Sequence, residues 1–524
     1  MYRISTLATL LLLAACGADD AAISPAKTYV VEQHAEESAI NWRYGGVDEA
    51  LTIARDSNKP VLLYWGAVWC PPCMQLKSTV FKDPAFIRST EKFVAVYLDG
   101  DSEGAQRWGE HFAIVGYPTM IILRPDGTEL TRISSGMALD AYPRVLDLAA
   151  KQTRPVGDLL AQAQADASKL SLDDWMLLAN YGWFVDQDQA LQQRAWAPIM
   201  TQLSRNAPAE PRALKTRFKV LELVAKLAEA ETPETALSPA EQSDAIVLLR
   251  RVMKSKKLLQ ENISELHYYG VPALQAATAI DSEQRHELSA LMGRTLRRVR
   301  EDQSYTLKDR LYTARTRLLL HKANHPGAEL PTALVEFASE AAQWADSQAQ
   351  TPQQRQSAIN YATYVLEEAG LQDQAEQLLL AEIKRSEQPY YFMPTLAEYA
   401  QARGDTEAAL GWLKRAYEES RGPATRAQWG VLYVQGLLEM APGNVKAIEA
   451  QLGQMISELA EHPGAFYQRT RSRMKRVDSQ LRAWSQEQDA APVLQRLAGK
   501  MQPVCEAVDA APAKQDCEAL FASS

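Results

Sequence analysis

The apolar pattern of this chain changes once, near residue 155, and that change limits what its 524 residues can fold into. Between residues 41 and 150, short apolar runs alternate with amphipathic stretches, which predicts strands alternating with helices. From about residue 157 to 499 the strand-like runs disappear, and Ala, Leu, Gln, Glu and Arg recur at helical spacing. The sequence therefore predicts an α/β domain at 41–150, followed by a large all-α region.

The charge balance narrows the classes of partner. Acidic residues number 65 and basic residues 56, so the formal net charge is −9 at pH 7. Binding to nucleic acid without sequence preference draws most of its affinity from a basic face, and this chain is acidic. We therefore expect protein or small-molecule partners and no nucleic acid.

The first residues read as a targeting segment. Residues 1–15 contain Arg3 and a short apolar stretch, which is typical of a secretory signal and too short to span a bilayer. The stretch ends in Leu13-Ala14-Ala15-Cys16, which resembles the lipobox of bacterial lipoproteins. That resemblance implies cleavage before Cys16 and attachment of lipid to it, with residues 16–40 as a polar tether. An ordinary signal peptide with an incidental cysteine is the alternative.

Gly17 bears on the destination of such a lipoprotein. Family members retained at the inner membrane usually carry Asp at this position, so the resemblance favours the outer membrane over the inner. The expected location is the cell envelope, lipid-anchored and facing the periplasm. The lipid would be the only membrane attachment, because no later apolar run approaches 18 residues.

The α/β segment predicts a mixed sheet with helices on both faces. Its helices and strands alternate and then end in a hairpin, which is the order that such a sheet requires. The predicted helices are 48–58, one starting at 74, and 105–112; the predicted strands are 61–65, 93–98, 120–123 and 129–133.

Four cysteines besides Cys16 form two pairs in the sequence. Cys70 and Cys73 flank two prolines between a predicted strand and a predicted helix. A Cys-x-x-Cys could be half of a zinc site, but zinc would need a second such pair at nearby spacing, and the sequence has none. The spacing therefore predicts a redox-active disulfide, with no metal and no cofactor beyond the dithiol itself.

This segment resembles the thioredoxin superfamily. The resemblance rests on WCPPC at 69–73, VGYPT at 115–119, Asn41-Trp42, Lys59-Pro60-Val61-Leu62 and Lys82-Asp83-Pro84. The last three narrow it to the periplasmic thioredoxin-like branch that includes the C-terminal domain of DsbD-type reductants.

The resemblance implies a role for each site residue. Cys70 would be the nucleophile at a helix N-terminus and Cys73 the resolving cysteine. A cis peptide bond before Pro118 would place the Tyr117 backbone beside a substrate segment, and Trp69 would pack against the active-site loop. The implied partners are protein disulfide substrates and a thiol electron donor.

Two departures limit what the resemblance implies. Family reductants often carry a buried acid six residues before the first cysteine, and this chain has Tyr64 there. Both residues between the cysteines, Pro71 and Pro72, lack an N–H donor. We expect a reduction potential nearer that of thioredoxin than that of DsbA, which favours a reductase. An oxidant or isomerase using the same cysteines, and a helical assembly scaffold with an idle redox site, are the alternatives.

The helical region divides into residues 155–335 and a repetitive part at 336–500. Predicted helices in the first part are 173–181, 211–230, 239–259, 281–299 and 307–321. In the second part Gly370 and Gly404 are 34 residues apart, as are Ala375 and Ala409, and this is the tetratricopeptide period. The stretch at 400–420 resembles that family, which implies binding of protein or peptide. A non-repetitive helical bundle is the alternative.

Three local features of this region carry predictions of their own. The aromatic cluster 390–393 could line a groove, but interior packing is the preferred interpretation. The basic run 469–476 predicts a solvated helix face with acidic partners nearby. Cys505 and Cys517 lie in a Pro/Ala-rich tail at 501–524, where a structural disulfide is favoured over a second redox pair.

Overall fold

A computed structural model describes residues 38–102, 104–133, 136–183, 195–509 and 511–522. The predicted signal segment at 1–15, Cys16 and nearly all of the tether at 16–40 lie outside the described residues. Those predictions therefore remain predictions.

The N-terminal part forms a five-stranded mixed sheet. Strands β1 to β3 are parallel to one another, β2 is antiparallel to β4, and β4 is antiparallel to β5, in the spatial order β1-β3-β2-β4-β5. The strands are β1 (Arg43–Tyr44), β2 (Val61–Gly66), β3 (Val94–Asp99), β4 (Thr119–Leu123) and β5 (Glu129–Ile133), and the helices are α1 (Val47–Ser57), α2 (Pro71–Ser78), α3 (Pro84–Thr90), α4 (Ala105–His111) and α5 (Ala141–Ala149).

Both faces of the sheet are buried, because strand residues alternate between two helical layers. Leu63 and Trp65 face the layer of α1 and α4, whereas Leu62 and Tyr64 face α2, α3 and α5. Every residue of β2 and β3 is buried. The predicted fold class, a mixed sheet with helices on both faces followed by a large all-α region, is confirmed.

The change of pattern near residue 155 is not a break in packing. The core beneath Leu62 and Tyr64 continues into the following helices through Leu160, Trp175 and Phe218. Tyr181 also forms an isolated bridge to Ile133 at the end of β5. The first helices after the sheet therefore share its hydrophobic core.

The rest of the chain is helical, and no helix in the described ranges is long and apolar enough to cross a bilayer. The helices are α6 (Val156–Ala165), α7 (Leu172–Ala179), α8 (Trp196–Asn206), α9 (Arg212–Glu229), α10 (Pro239–Lys254), α11 (Lys256–Glu261), α12 (Ile263–Ala277), α13 (Glu283–Glu301), α14 (Leu307–Asn324), α15 (Thr332–Gln348), α16 (Pro352–Glu368), α17 (Gln372–Glu382), α18 (Met393–Ala402), α19 (Thr406–Glu419), α20 (Pro423–Met440), α21 (Val445–Glu461), α22 (Gln468–Glu487), α23 (Ala491–Glu506) and α24 (Ala511–Ala519).

One predicted helix is divided in two. The stretch 239–259 was expected to be continuous, but Ser255 has an extended backbone and separates α10 from α11. Its side chain accepts a hydrogen bond from the Leu258 N–H, which caps α11. A serine that can cap competes with helix continuation, and this explains the break.

The 34-residue spacing corresponds to a repeated turn. Gly370 joins α16 to α17 and Gly404 joins α18 to α19, with left-handed φ angles of 75° and 78°. Ala375 and Ala409, at the same offset, are both fully buried. Two successive helix pairs thus share one turn geometry, while their assignment to the tetratricopeptide family stays a prediction.

The segment predicted as a tail is helical instead. Residues 501–506 continue α23, and α24 follows, so both Cys505 and Cys517 lie in helices. Alanine is the strongest helix former, and Pro512 stands in the first turn of α24, where its missing N–H has no helical partner to lose. The Pro/Ala composition was therefore a weak guide to an irregular tail.

Candidate functional site

Cys70 and Cys73 lie where β2 leads into α2, and a disulfide joins them with a Cα–Cα distance of 5.2 Å. Cys70 is the N-cap residue of α2, so its sulfur faces the unpaired N–H groups of the first turn. That position favours a thiolate over a thiol. Only 3% of Cys70 and 0% of Cys73 is exposed.

The two prolines decide which donor reaches the sulfur. Pro71 and Pro72 occupy the first two positions of α2 and have no N–H to offer. The first available donor is the Cys73 N–H, and it lies 3.3 Å from Cys70 Sγ. Among the described residues, the Cys73 N–H is thus the backbone donor directed at the Cys70 sulfur.

Tyr117 and Pro118 form the opposite wall of the site. The peptide bond between them is cis, and the Tyr117 carbonyl oxygen lies 3.6 Å from Cys70 Sγ. The Tyr117 hydroxyl accepts a hydrogen bond of 3.1 Å from Gln106 on α4, and burial raises the pKa of this tyrosine to about 12. The side chain is therefore neutral and fixed.

Trp69 makes two hydrogen bonds with the helical region. Its indole N–H donates to Thr425 Oγ1 on α20 at 3.0 Å, and its carbonyl accepts from Gln356 on α16 at 2.9 Å. Its ring also makes an edge-to-face contact with Trp429, with ring centroids 5.1 Å apart. The helical region thus covers the loop that carries Cys70.

Asp101, just after β3, fastens the sheet domain to α20. Its carboxylate accepts hydrogen bonds from both the N–H and the hydroxyl of Thr425, in the first turn of that helix. Burial, together with the neighbouring charge of Asp99, raises the pKa of Asp101 to about 7. A Cβ at Gly422 would lie 2.3 Å from the Asp101 side chain, so only glycine permits this approach.

The basic run at 469–476 is divided between two roles. Arg471 and Lys475 pair with Asp516, and Arg471 also contacts Glu110 on α4, as expected of a helix with acidic partners. Arg469 instead places its guanidinium 4.7 Å from the ring centroid of Tyr117 and 5.9 Å from that of Trp69. Trp69, Tyr117 and Arg469 line a narrow gap, which Arg473 also lines. Burial lowers the pKa of Arg473 to about 10. The prediction of a solvated face was therefore wrong for Arg469 and Arg473, because α22 packs against the active-site loop.

Tyr64 cannot serve as the proton acceptor for Cys73. It is fully buried, and burial together with the charge of Asp99 holds its pKa far above the usual value. Asp99 itself is a buried carboxyl at the end of β3, paired in register with Gly66. On α2, burial lowers the pKa of Lys77 to about 8. Asp99 acts electrostatically on both Tyr64 and Lys77, so these three groups lie near one another.

A cavity of about 910 Å³ lies between α2 and the helical region, and we call it the tyrosine cavity. Pro72 and Gln75 of α2 form part of its wall. The facing wall comes from the helical region and contains Tyr268, Tyr269, Tyr312, Tyr361, Tyr364 and Tyr391. The aromatic cluster 390–393 is accordingly mixed, since Tyr390, Phe392 and Met393 are buried while Tyr391 lines this cavity.

The second cysteine pair is remote from this chemistry in the sequence but not in packing. A disulfide joins Cys505 on α23 to Cys517 on α24, with a Cα–Cα distance of 5.4 Å. Cys505 is 4% exposed and Cys517 is fully buried. Within the described ranges, no three His, Cys, Asp or Glu side chains are grouped so as to bind a metal ion.

Sequence reasoning located the residues of the loop but not those that cover it. Trp69 and Gln356 are 287 residues apart, and Trp69 and Thr425 are 356 apart. The sequence around Gln356 and Thr425 is that of ordinary amphipathic helices, so no local signal indicates a partner. No sequence pattern indicates that Asp101 contacts α20 either, because a carboxylate after a strand is usually solvated.

Comparison with known proteins agrees with the geometry of the N-terminal part. Residues 47–150 match the model of the thioredoxin-like domain. Thioredoxins of Mycobacterium bovis (strain ATCC BAA-935 / AF2122/97) and Mycobacterium tuberculosis (strains CDC 1551 / Oshkosh and ATCC 25618 / H37Rv) are 37% identical over 96 residues. The match covers 18% of this chain and 78% of each relative. Through the segment that holds the cysteine pair and the cis-proline, the chain belongs to the thioredoxin family.

Proposed function

We propose that this protein is a lipid-anchored periplasmic thiol-disulfide oxidoreductase that reduces protein disulfides. The observation that carries the proposal is the Cys70–Cys73 disulfide at the N-terminus of α2, opposite the Tyr117 carbonyl. A cysteine pair three residues apart at that position can form and break a disulfide without moving the backbone far.

The proposed exchange has two steps. The Cys70 thiolate attacks one sulfur of the client disulfide, which forms a mixed disulfide and releases the other client sulfur as a thiolate. The Cys73 thiolate then attacks Cys70 Sγ, releasing the second client thiolate and forming the Cys70–Cys73 disulfide. The client gains two electrons and two protons, and a thiol donor restores the dithiol by the reverse chemistry.

Reduction is favoured over oxidation by the donors around Cys70. Strong oxidants of this superfamily stabilise their reduced form, which requires several groups that favour the thiolate. Here the described donor to Cys70 Sγ is the Cys73 N–H, and the intervening prolines offer none. We expect a potential near the −270 mV or so of thioredoxin; a value near −120 mV would identify an oxidant.

The proposed location rests on the sequence of residues 1–16, and the proposed role of the helical region on its contacts. A lipobox-like segment ending at Cys16 supports an envelope lipoprotein. The tetratricopeptide-like period supports a protein-binding role. Because α16, α20 and α22 cover the Cys70 loop, the helical region would control which clients reach the cysteine.

The test is a trapping experiment with Cys73→Ser in the periplasm. Without the resolving cysteine, the mixed disulfide with Cys70 persists, so clients can be isolated and identified. A matched Cys70→Ser/Cys73→Ser chain gives the background. Client proteins bound only by the single variant support the proposal, whereas an empty trap would favour an assembly scaffold with an idle redox site.

A further inference from the structure

The helical region closes one side of the active-site loop and leaves the other side open. On the closed side, Trp69, Thr425 and Arg469 are packed together. On the open side, the tyrosine cavity lies between α2 and the helices α12, α14 and α16. The cavity is therefore an opening beside the helix that carries Cys73.

The cavity reaches a residue that lies between the two cysteines in the sequence. Pro72, which lines it, is the residue between the two cysteines and directly precedes Cys73. Tyr391, which also lines it, stacks on Trp69 with ring centroids 6.1 Å apart and planes inclined by 17°. A molecule bound in the cavity would thus lie against the loop on which exchange takes place.

The tyrosines present both ring faces and hydroxyl groups to a ligand. Tyr268 and Tyr364 are 43% and 44% exposed, among the most exposed large apolar side chains of the described residues. Burial raises the pKa of Tyr364 above its usual value, so the hydroxyl remains a neutral donor and acceptor. Tyrosine gives a large rigid contact area with little loss of side-chain entropy, and it is a preferred residue in protein recognition surfaces.

The cavity is lined by equal numbers of acidic and basic residues: Glu265, Glu367 and Glu368, and Lys308, Arg315 and Lys322. Lys322 and Arg315 both pair with Glu368, at 2.7 and 3.5 Å, and Glu367 accepts a hydrogen bond from Tyr399. The Lys308 ammonium lies 5.3 Å from the ring centroids of both Tyr268 and Tyr361. Neither sign of charge dominates, so the cavity suits an uncharged partner better than a phosphorylated or strongly acidic one.

We propose that the tyrosine cavity binds an extended, uncharged segment of a client polypeptide next to the client's cysteine. Peptide groups match the phenol hydroxyls, apolar side chains match the rings, and a volume of about 910 Å³ is in the range of specific binding sites. Continuity with the Cys70 loop explains why the occupant would be the molecule that carries the disulfide. The identity of that occupant rests on the proposed function.

The binding test does not depend on redox chemistry. The probe is a dansyl-labelled peptide of about ten uncharged residues with serine in place of cysteine, titrated with the full chain by fluorescence anisotropy. We expect Tyr268→Ser/Tyr364→Ser to weaken binding at least tenfold. Leu172→Ser/Val247→Ser is the control, since these side chains are 46% and 53% exposed and lie outside the cavity.

Equal affinity in the cavity variant, no binding by the unmodified chain, or equal losses in both variants would overturn the proposal. Displacement of the peptide by a neutral oligosaccharide of similar affinity would also overturn it, in favour of a glycan site.

A second measurement separates this inference from the proposed function. The same peptide, carrying cysteine in a mixed disulfide, is compared with dithiobis(nitrobenzoate), a small disulfide that does not need the cavity. We expect the cavity variant to raise KM for the peptide at least tenfold and to leave reduction of the small disulfide unchanged. If the unmodified chain reduces neither, the proposed function fails, while binding of the serine peptide still decides the cavity.

Discussion

The two disulfides of this molecule are alike in burial and differ in surroundings. Cys70 and Cys505 are 3% and 4% exposed, and Cys73 and Cys517 are fully buried. The Cα–Cα distances are 5.2 and 5.4 Å, and all four cysteines contribute to one hydrophobic cluster. Burial and bond geometry therefore do not indicate which pair performs chemistry.

The surroundings do separate the two pairs. Cys70 caps a helix, receives the Cys73 N–H and faces the Tyr117 carbonyl beside a cavity. Cys505 lies near the end of α23, and its partner is on α24, with apolar side chains such as Val504 and Phe521 around them. A backbone donor at the sulfur distinguishes the proposed redox pair, and a link between two helices distinguishes the proposed structural pair.

The largest expected effect comes from removing the first pair's nucleophile. Cys70→Ser should lower disulfide reductase activity by more than about 10³-fold, because the remaining thiol of the pair, Cys73, is fully buried. Turnover of insulin disulfides by the full chain measures it. Cys505→Ser/Cys517→Ser is the matched control and should keep at least half of the activity. A large loss in that control would show that the second pair also carries electrons.

Removal of the second disulfide should lower local stability more than removal of the first. The Cys505–Cys517 bond closes a loop of 12 residues and should stabilise the terminal helix pair by about 3 kcal/mol on the chain-entropy model. Hydrogen exchange of the α23 and α24 amides in Cys505→Ser/Cys517→Ser measures the loss locally. The Cys70–Cys73 bond closes a much shorter loop. Its removal in Cys70→Ser/Cys73→Ser should therefore change amide exchange in α2 less than removal of the second disulfide changes it in α23 and α24. If each double variant changed amide exchange in its own helices by the same amount, the structural assignment of the second pair would be contradicted.

The sequence predicted the parts of this site that are local in the chain. The cis peptide bond before Pro118 was implied by the resemblance to thioredoxins. The strand at 61–65 and the helix through 74 follow from patterns within a few residues. The covering of Trp69 by Gln356 and Thr425 does not, because it depends on how about 200 residues of helix return to the sheet. The helical form of 501–506 and 511–519 was also missed, because proline content outweighed alanine in the prediction.

Loosening the cover over the first pair should increase its reactivity. Thr425→Val removes the hydroxyl that accepts from the Trp69 indole and donates to Asp101. Loss of such buried hydrogen bonds costs about 1–3 kcal/mol, and 1.4 kcal/mol corresponds to tenfold in an equilibrium. We therefore expect Cys70 in the reduced chain to react about tenfold faster with iodoacetamide, followed by mass spectrometry of the Cys70 peptide. Thr406→Val, at an exposed helix start away from the site, should leave the rate unchanged. Equal rates in all three chains would show that the helical cover does not limit access.

The last expected effect is a pH dependence of the contact between Asp101 and α20. An exposed aspartate has a pKa near 3.8, and burial beside Asp99 raises that of docked Asp101 to about 7, despite the hydrogen bonds from Thr425 and Ala424 that oppose the shift. Between about pH 4 and pH 7, packing of Asp101 against α20 is therefore accompanied by uptake of a proton by its carboxylate. The stabilisation is fully present below about pH 4, declines as the pH rises, and is lost above about 7. Amide exchange at the start of α20, corrected for the intrinsic pH dependence of exchange, should become faster between pH 5 and 8. Asp101→Asn cannot titrate and should show no such change, and the exchange of α23 next to the second disulfide should not respond in either chain. A pH response that persists in Asp101→Asn would assign the titration to another group.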